Sequence, residues 1–177
     1  MSTDDCLSSK RLLRIPGRAP DEGSRELPVD IRSARLADIP PLLALIRRYW
    51  EFEGIKGFEA LRIELVLKQL LTSSTAGAIW VAESQGALAG YLIAVLFFSV
   101  EHQGLMGEID EFFVLPEARS GGAGAKLLQA AEQALGRRGC VRLQLQLRRG
   151  NVRARTFYER HGYQARAAYE LLDKPLG

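Results

Sequence analysis

Three carboxylates lie close together in one short stretch of the chain, GEIDEFFV: Glu108, Asp110 and Glu111. Clustered carboxylates can take a proton from a reacting amine or hold a cation. Burying three like charges at one strand end without a purpose is unfavourable, because each charge disfavours the ionisation of the others. We therefore predict a site for a proton or a cation here, although any single carboxylate can also cap a turn or pair with an arginine.

A loop of small residues, ARSGGAGAKL, follows the carboxylates. Backbone N–H groups at a helix start have no intrahelical partner and attract an anion. A P-loop is excluded because Lys126 is preceded by alanine and followed by leucine, and a dinucleotide fingerprint is excluded because Leu127 stands where its third glycine belongs. What remains is the pattern Arg119-x-x-Gly122-x-Gly124, for which a plain flexible loop is the alternative.

A second segment, NVRARTFYERHGY, runs from Asn151 to Tyr163 across one predicted helix and strand from the loop. The two segments together resemble the R/Q-x-x-G-x-G/A loop and the N-x-x-A-x-x-F-Y-x-x-x-G-F/Y helix of the GNAT superfamily of N-acetyltransferases. Both motifs match without a gap, and the resemblance covers the chain from Val29 to Leu172. It implies binding of acetyl-CoA, with no metal.

Hydrophobic periodicity predicts the element order β-α-α-β-β-β-α-β-α-β, an α/β class chain (an α+β mixed sheet) with helices on both faces. The predicted strands span residues 29–34, 78–83, 88–100, 107–115, 141–147 and 163–172. The resemblance implies a mostly antiparallel sheet of six to seven strands with a V-shaped splay between strands 4 and 5. Residues 29–177 are predicted to form a single domain, and residues 1–28 a disordered tail.

The resemblance also implies which residues hold the cofactor. The pantetheine arm pairs with the fourth strand, where a backbone N–H near Val114 polarises the thioester carbonyl, and the glycine loop binds the pyrophosphate. Asn151 either touches the pantetheine or caps its helix. The implied cofactor-binding residues are Phe113, Val114, Arg119, Ser120, Gly121, Gly122, Ala123, Gly124, Ala125 and Asn151.

Tyr158 matches the position of the family's general acid near the CoA sulfur, whereas an isolated helix tyrosine would be interpreted as core packing. The base remains open among the carboxylates. Glu108 resembles the catalytic glutamate of histone-type members, and the Asp110-Glu111 pair resembles that of diamine acetyltransferases. On an extended strand Glu108 and Asp110 share one face and Glu111 takes the other. A bulge would change these assignments.

The carboxylates favour a small primary amine with a second positive charge as the acceptor; a protein lysine or amino terminus and a catalytically silent acyl-CoA-binding module are the alternatives. Residues 49–58 are interpreted as helix ends on the core, with a substrate-binding lip as the alternative.

A net charge of +3 does not demand nucleic acid. No apolar run predicts a membrane helix or leader, and Cys6 and Cys140 lack metal-ligand spacing, so a cytoplasmic location is predicted. Homodimers are frequent in the family, but no interface is evident.

Overall fold

The computed structural model describes residues 28–119 and 121–176. Predictions for residues 1–27 and for Ser120 lie outside these residues. One mixed sheet contains β1 (Asp30–Ser33), β2 (Gly77–Ser84), β3 (Ala87–Ser99), β4 (Gly104–Val114) and β5 (Cys140–Leu145), side by side in that order. The helices are α1 (Ile39–Glu53), α2 (Ala60–Thr72), α3 (Ala123–Arg137) and α4 (Val152–Arg160), with 3₁₀ turns at Leu36–Asp38 and Pro116–Ala118.

The predicted α/β class is confirmed, with a smaller sheet than expected. β1 to β4 pair antiparallel, and β5 lies parallel to β4. A parallel pair needs a crossover connection, which α3 supplies. The strand predicted over residues 163–172 is wrong: this stretch is exposed apart from Tyr163 and turns where the Tyr169 N–H donates to the Arg166 carbonyl (3.0 Å). Alternation only indicates that a segment can form a strand, whereas a strand also needs a neighbour for its backbone hydrogen bonds.

The sheet is covered on both faces, as the helix patterns predict. Helix α3 buries Leu127, Leu128, Ala131 and Leu135 against one face, together with Leu92 of β3. Helices α1 and α2 cover the other face with a separate cluster, which includes Leu42, Ile46, Leu67, Tyr91 and Phe113. The two clusters hold β4 firmly between them, so that side chains on either side of this strand have fixed surroundings.

The pairing between β4 and β5 covers only the first half of β4. It begins at Leu105 with Cys140 and ends at Ile109 with Leu145. Beyond this point, residues 111–114 of β4 still pair with β3, but among the described residues no strand lies beside residues 110–114 on the β5 side. The predicted splay between strands 4 and 5 therefore opens at Asp110, directly within the acidic stretch.

Candidate active site

A β-bulge in β4 determines where the three carboxylates lie. Ile93 of β3 pairs with Glu111, and the next residue of β3, Ala94, pairs with Ile109, so Asp110 is the extra residue. The face assignment made for a regular strand is therefore wrong. Glu108 and Glu111 share the face that α1 and α2 cover, because the bulge inserts one residue between them, whereas Ile109 belongs to the cluster under α3.

Glu111 is held by two hydrogen-bond donors. Trp50 Nε1 of α1 donates to Glu111 Oε1 (2.6 Å), and the Tyr91 hydroxyl of β3 donates to Glu111 Oε2 (2.8 Å). Burial raises the pKa of Glu111, the two donors oppose this shift, and the nearby Asp110 adds to it. Glu111 is thus a fixed carboxylate that takes up a proton more readily than a free glutamate.

Asp110 differs from Glu111 in having no hydrogen-bond donor within reach among the described residues. Its side chain is exposed, yet the protein atoms around it remove part of its hydration. This desolvation raises the pKa of Asp110, and the negative charge of Glu108 adds to the shift. Asp110 is the member of the trio whose oxygens are open to a ligand.

Glu108 lies at the inner end of the splay and bridges to β5. Gln144 Nε2 donates to Glu108 Oε2 (2.6 Å), and Gln146 Nε2 donates to Glu108 Oε1 (3.0 Å). Amide donors satisfy a carboxylate without neutralising its charge. Glu108 is therefore oriented by β5 and ties the two strands together where they begin to separate.

Two tyrosines pack against β4, and Tyr49 is the one that lies close to Glu111 and Asp110. The Tyr49 ring of α1 packs on Phe113 (centroids 5.8 Å apart), and the Tyr158 ring of α4 packs on Phe112 (6.4 Å). Burial raises the pKa of Tyr49 to about 12, with Glu111 as the next contributor, and burial followed by the proximity of Tyr49 raises the pKa of Tyr158. Both hydroxyls therefore remain protonated at neutral pH, so each has a proton that it can donate.

The glycine loop leads directly into α3. Gly122 is the N-cap residue with φ 68°, a left-handed conformation that glycine adopts without strain. It has no side chain to cap the first turn, and a Cβ built on it would meet only open space. Lys126 is the first residue whose N–H bonds within the helix, to the Gly122 carbonyl (3.0 Å), so the N–H groups of Ala123, Gly124 and Ala125 remain available for an anion.

The open edge of β4 presents backbone groups beside this loop. The Leu115 N–H donates to the Ala89 carbonyl of β3 (2.8 Å), and because backbone groups alternate along a strand, those of Val114 face the open edge. Arg119 Nε donates to the Val114 carbonyl (2.8 Å), while the Val114 N–H is left for a ligand. Desolvation lowers the pKa of Arg119, and the neighbouring charge of Arg153 lowers it further.

Asn151 caps α4. Its side-chain oxygen accepts from the Ala154 N–H (3.1 Å), so the capping alternative is confirmed. Its contact with pantetheine remains a prediction. The cap fixes the start of the helix that carries Phe157 and Tyr158, whose rings pack edge to face (5.3 Å). Asn151 thereby helps to position the tyrosine hydroxyl.

The residues present fit an extended, phosphorylated thioester cofactor. The strand edge at Val114 can pair with an amide-containing arm, and the uncapped start of α3 can take a diphosphate. Within residues 28–119 and 121–176, no cluster of His, Cys, Asp or Glu has the arrangement of a metal site. No helix in the same ranges is long and apolar enough to cross a membrane.

Comparison with known proteins identifies the class. A sequence model of the acetyltransferase (GNAT) family matches residues 40–163. An uncharacterised N-acetyltransferase of Bacillus subtilis is 32% identical over 140 residues, 77% of this chain and 90% of that protein. Another, of Archaeoglobus fulgidus, is 38% identical over 130 residues, 70% of this chain and 87% of that protein. The solved structure of an integron cassette protein from a salt-marsh metagenome superposes with a TM-score of 0.74 at 29% identity, over 83% of this chain and 90% of that one.

The chain therefore belongs to the acetyltransferase (GNAT) family, and it is an acetyltransferase. Acetyl-CoA is the donor that this family uses. Sequence reasoning missed three side chains of the cleft, Tyr49, Trp50 and Tyr91, since each belongs to an apolar pattern that is equally typical of core packing. The one available signal was the alternative of a substrate-binding lip over residues 49–58, which include Tyr49 and Trp50.

Proposed function

We propose that this chain transfers the acetyl group of acetyl-CoA to the primary amine of a small cationic molecule, by direct attack while both substrates are bound. The observation that carries the proposal is the meeting of Glu111, Asp110, Tyr49 and Tyr158 where the edge of β4 becomes open. A site for proton transfer thus lies directly beside a site for an extended anionic cofactor.

Backbone groups do most of the proposed cofactor binding. The pantetheine arm pairs with the open edge of β4 at Val114, whereas the backbone groups of the implied contact Phe113 face β3 by the same alternation. The N–H groups of Ala123, Gly124 and Ala125 take the pyrophosphate. Once bound, acetyl-CoA supplies an activated thioester. The Val114 N–H, which faces the open edge, donates to the carbonyl oxygen as charge develops there.

Glu111 and Tyr158 divide the proton transfers between them. An alkyl amine is mostly protonated near neutral pH and must lose a proton before it can attack. Glu111 takes this proton, directly or through water, because its raised pKa makes it a competent base and its two donors fix its position. The Tyr158 hydroxyl gives its proton to the departing sulfur, and its proton is restored from solvent.

The charge of the cleft supports a cationic acceptor. No lysine or arginine forms an ion pair with Glu108, Asp110 or Glu111 in the described part of the chain. Arg148 Nε and Glu53 Oε2, which lie near Tyr49, form an ion pair with each other (3.7 Å) and add no net charge. Asp110, exposed and free of donors, is the proposed anchor for an ammonium group.

An acceptor panel tests the proposal. Purified protein with acetyl-CoA is offered diamines and polyamines, aminoglycosides, lysine analogues, neutral and acidic amines, and peptides with free lysine or amino termini, with thiol release as the readout. We expect turnover with cationic small amines. Turnover confined to neutral or acidic amines would contradict the charge argument. Turnover with peptides alone would identify a protein acetyltransferase, and acetyl-CoA binding without any turnover would identify a silent module. A cytoplasmic location stays a prediction.

A further inference from the structure

The side chain of Arg119 occupies the open edge of β4. Its Nε donates to the Val114 carbonyl (2.8 Å), one of the two backbone groups of Val114 that face away from β3. The 3₁₀ turn Pro116–Ala118 follows the strand and turns the chain, so that the Arg119 side chain reaches back to this carbonyl. A ligand arm that pairs with the edge like a strand needs the same carbonyl as the acceptor for its own N–H. The guanidinium and such an arm therefore compete for one backbone acceptor.

Two aromatic rings form a seat for the Arg119 guanidinium. Its Cζ lies 5.5 Å from the ring centroid of Phe52, near the end of α1, and 5.8 Å from that of Phe113. The centroids of these two rings are 6.5 Å apart, and Phe52 is exposed whereas Phe113 is buried. A cation–π contact at an exposed ring is weak compared with an ion pair to a phosphate. The seat therefore holds Arg119 at the edge but does not prevent its release.

The positive charge of Arg119 is not neutralised by a salt bridge. No acidic residue within 28–119 and 121–176 forms an ion pair with it. Desolvation lowers the pKa of Arg119, and the like charge of Arg153 lowers it further. Gly122, the N-cap of α3, follows shortly in the chain, and the free N–H groups of that helix start attract an anion. A diphosphate bound there offers the guanidinium the bidentate, charge-assisted partner that it lacks.

We propose that Arg119 is a specificity-determining residue that makes the donor site selective for thioesters carrying a diphosphate. Without a diphosphate, Arg119 holds the Val114 carbonyl and blocks the arm. A diphosphate at the start of α3 takes the guanidinium and leaves Val114 free to pair with the arm. A phosphate-free arm has to break the bond between Arg119 and Val114 without this compensation. The inference rests on the cofactor placement of the proposed function, but not on the identity of the acceptor.

Pantetheine, which is the arm without any phosphate, tests the competition. Calorimetry on the purified chain measures its Kd alone and with saturating inorganic diphosphate, at constant ionic strength. Because the diphosphate draws Arg119 from the edge, it should tighten pantetheine binding about fivefold. Arg119→Ala should bind pantetheine about tenfold more tightly than the parent, with no further effect of diphosphate. The φ of −70° at Arg119 suits alanine, so the loop backbone is retained.

Two further variants separate the edge contact from general effects of charge. Phe52→Leu removes the exposed half of the seat and leaves Arg119 in place, so pantetheine should bind about two- to fivefold more tightly. Arg153→Ala is the matched control, because it removes a neighbouring positive charge that makes no contact with Val114. It should weaken diphosphate binding and leave the Kd of pantetheine alone unchanged. Far-ultraviolet circular dichroism checks that each variant is folded.

The Nε–H resonance of Arg119 gives a readout that does not depend on the affinity for pantetheine. It should be protected from solvent exchange in the free protein and should shift when CoA or inorganic diphosphate binds. The proposal is overturned if pantetheine binds the parent and Arg119→Ala equally, if diphosphate leaves pantetheine binding unchanged, or if CoA leaves the resonance where it was. None of these measurements involves acetyl transfer, so a negative acceptor panel would count against the proposed function alone.

Discussion

Replacing Tyr91 by phenylalanine should move the acid limb of the pH–activity profile to higher pH. The variant removes the hydroxyl that donates to Glu111 Oε2 (2.8 Å) and keeps the buried ring. A hydrogen bond to a charged group is worth about 1.5–3 kcal/mol. Since a shift of one pKa unit corresponds to about 1.4 kcal/mol, the pKa of Glu111 should rise by about 1–2 units beyond its already raised value. Glu111 is active as a base only when ionised, so activity is lost at a correspondingly higher pH.

The assay is kcat/KM for the best acceptor of the panel across pH, because this ratio reports the ionisations of the free enzyme and free substrate, and the substrate is the same for each variant. Tyr163→Phe is the matched control. Its hydroxyl donates to Glu132 Oε1 of α3 (3.0 Å), outside the cleft, so this variant should lose stability without moving the acid limb. An unshifted limb in Tyr91→Phe, with activity retained in Glu111→Gln, would refute the assignment of Glu111 as the base.

Four further predictions concern single positions. Tyr158→Phe should lower turnover by about 10²- to 10⁴-fold with unchanged CoA affinity by calorimetry, and unchanged turnover would remove Tyr158 from the mechanism. Asp110→Asn should raise the KM of a cationic acceptor about fivefold, equal to about 1 kcal/mol for an exposed charge pair, with little effect on a neutral amine. Gly122→Ala should weaken CoA binding roughly tenfold. Gly86→Ala, at a hairpin glycine with φ 77°, should lower the free energy of unfolding by ~1 kcal/mol and leave CoA binding unchanged. Glu111→Gln should be more stable than the parent at high pH. Because the pKa of Glu111 is raised in the folded state, the parent loses stability as pH rises from the ordinary glutamate value through the raised one. The difference in Tm, about 2–4 °C per kcal/mol, should vanish at low pH.

Local sequence patterns were enough to predict the helices and strands that position the site. The alternation in β5 and the apolar stripe of α3 each identified their element, and the loop around Gly122 together with the Tyr158 helix identified the family. These features depend on short-range spacing, which a sequence displays directly.

Two features of the structure could not be predicted from the sequence, because they depend on pairing between strands that are far apart in the chain. The bulge at Asp110 depends on the register between β3 and β4, and it moved Glu111 onto the face of Trp50 and Tyr91. The absence of a strand over residues 163–172 depends on whether a neighbour is present to receive its hydrogen bonds. A pattern within one segment carries no information on either point.

The proposed reaction is acetyl transfer from acetyl-CoA to a cationic amine in the cleft beside β4. The most direct measurement supplies acetyl-CoA with a radiolabelled acetyl group and a diamine to the purified chain, and follows label in the amine together with release of free CoA. We predict stoichiometric label and thiol, both abolished in a Tyr158→Phe, Glu111→Gln double variant that still binds CoA. Thiol release without labelled amine, or labelled amine formed equally well by the double variant, would contradict this account.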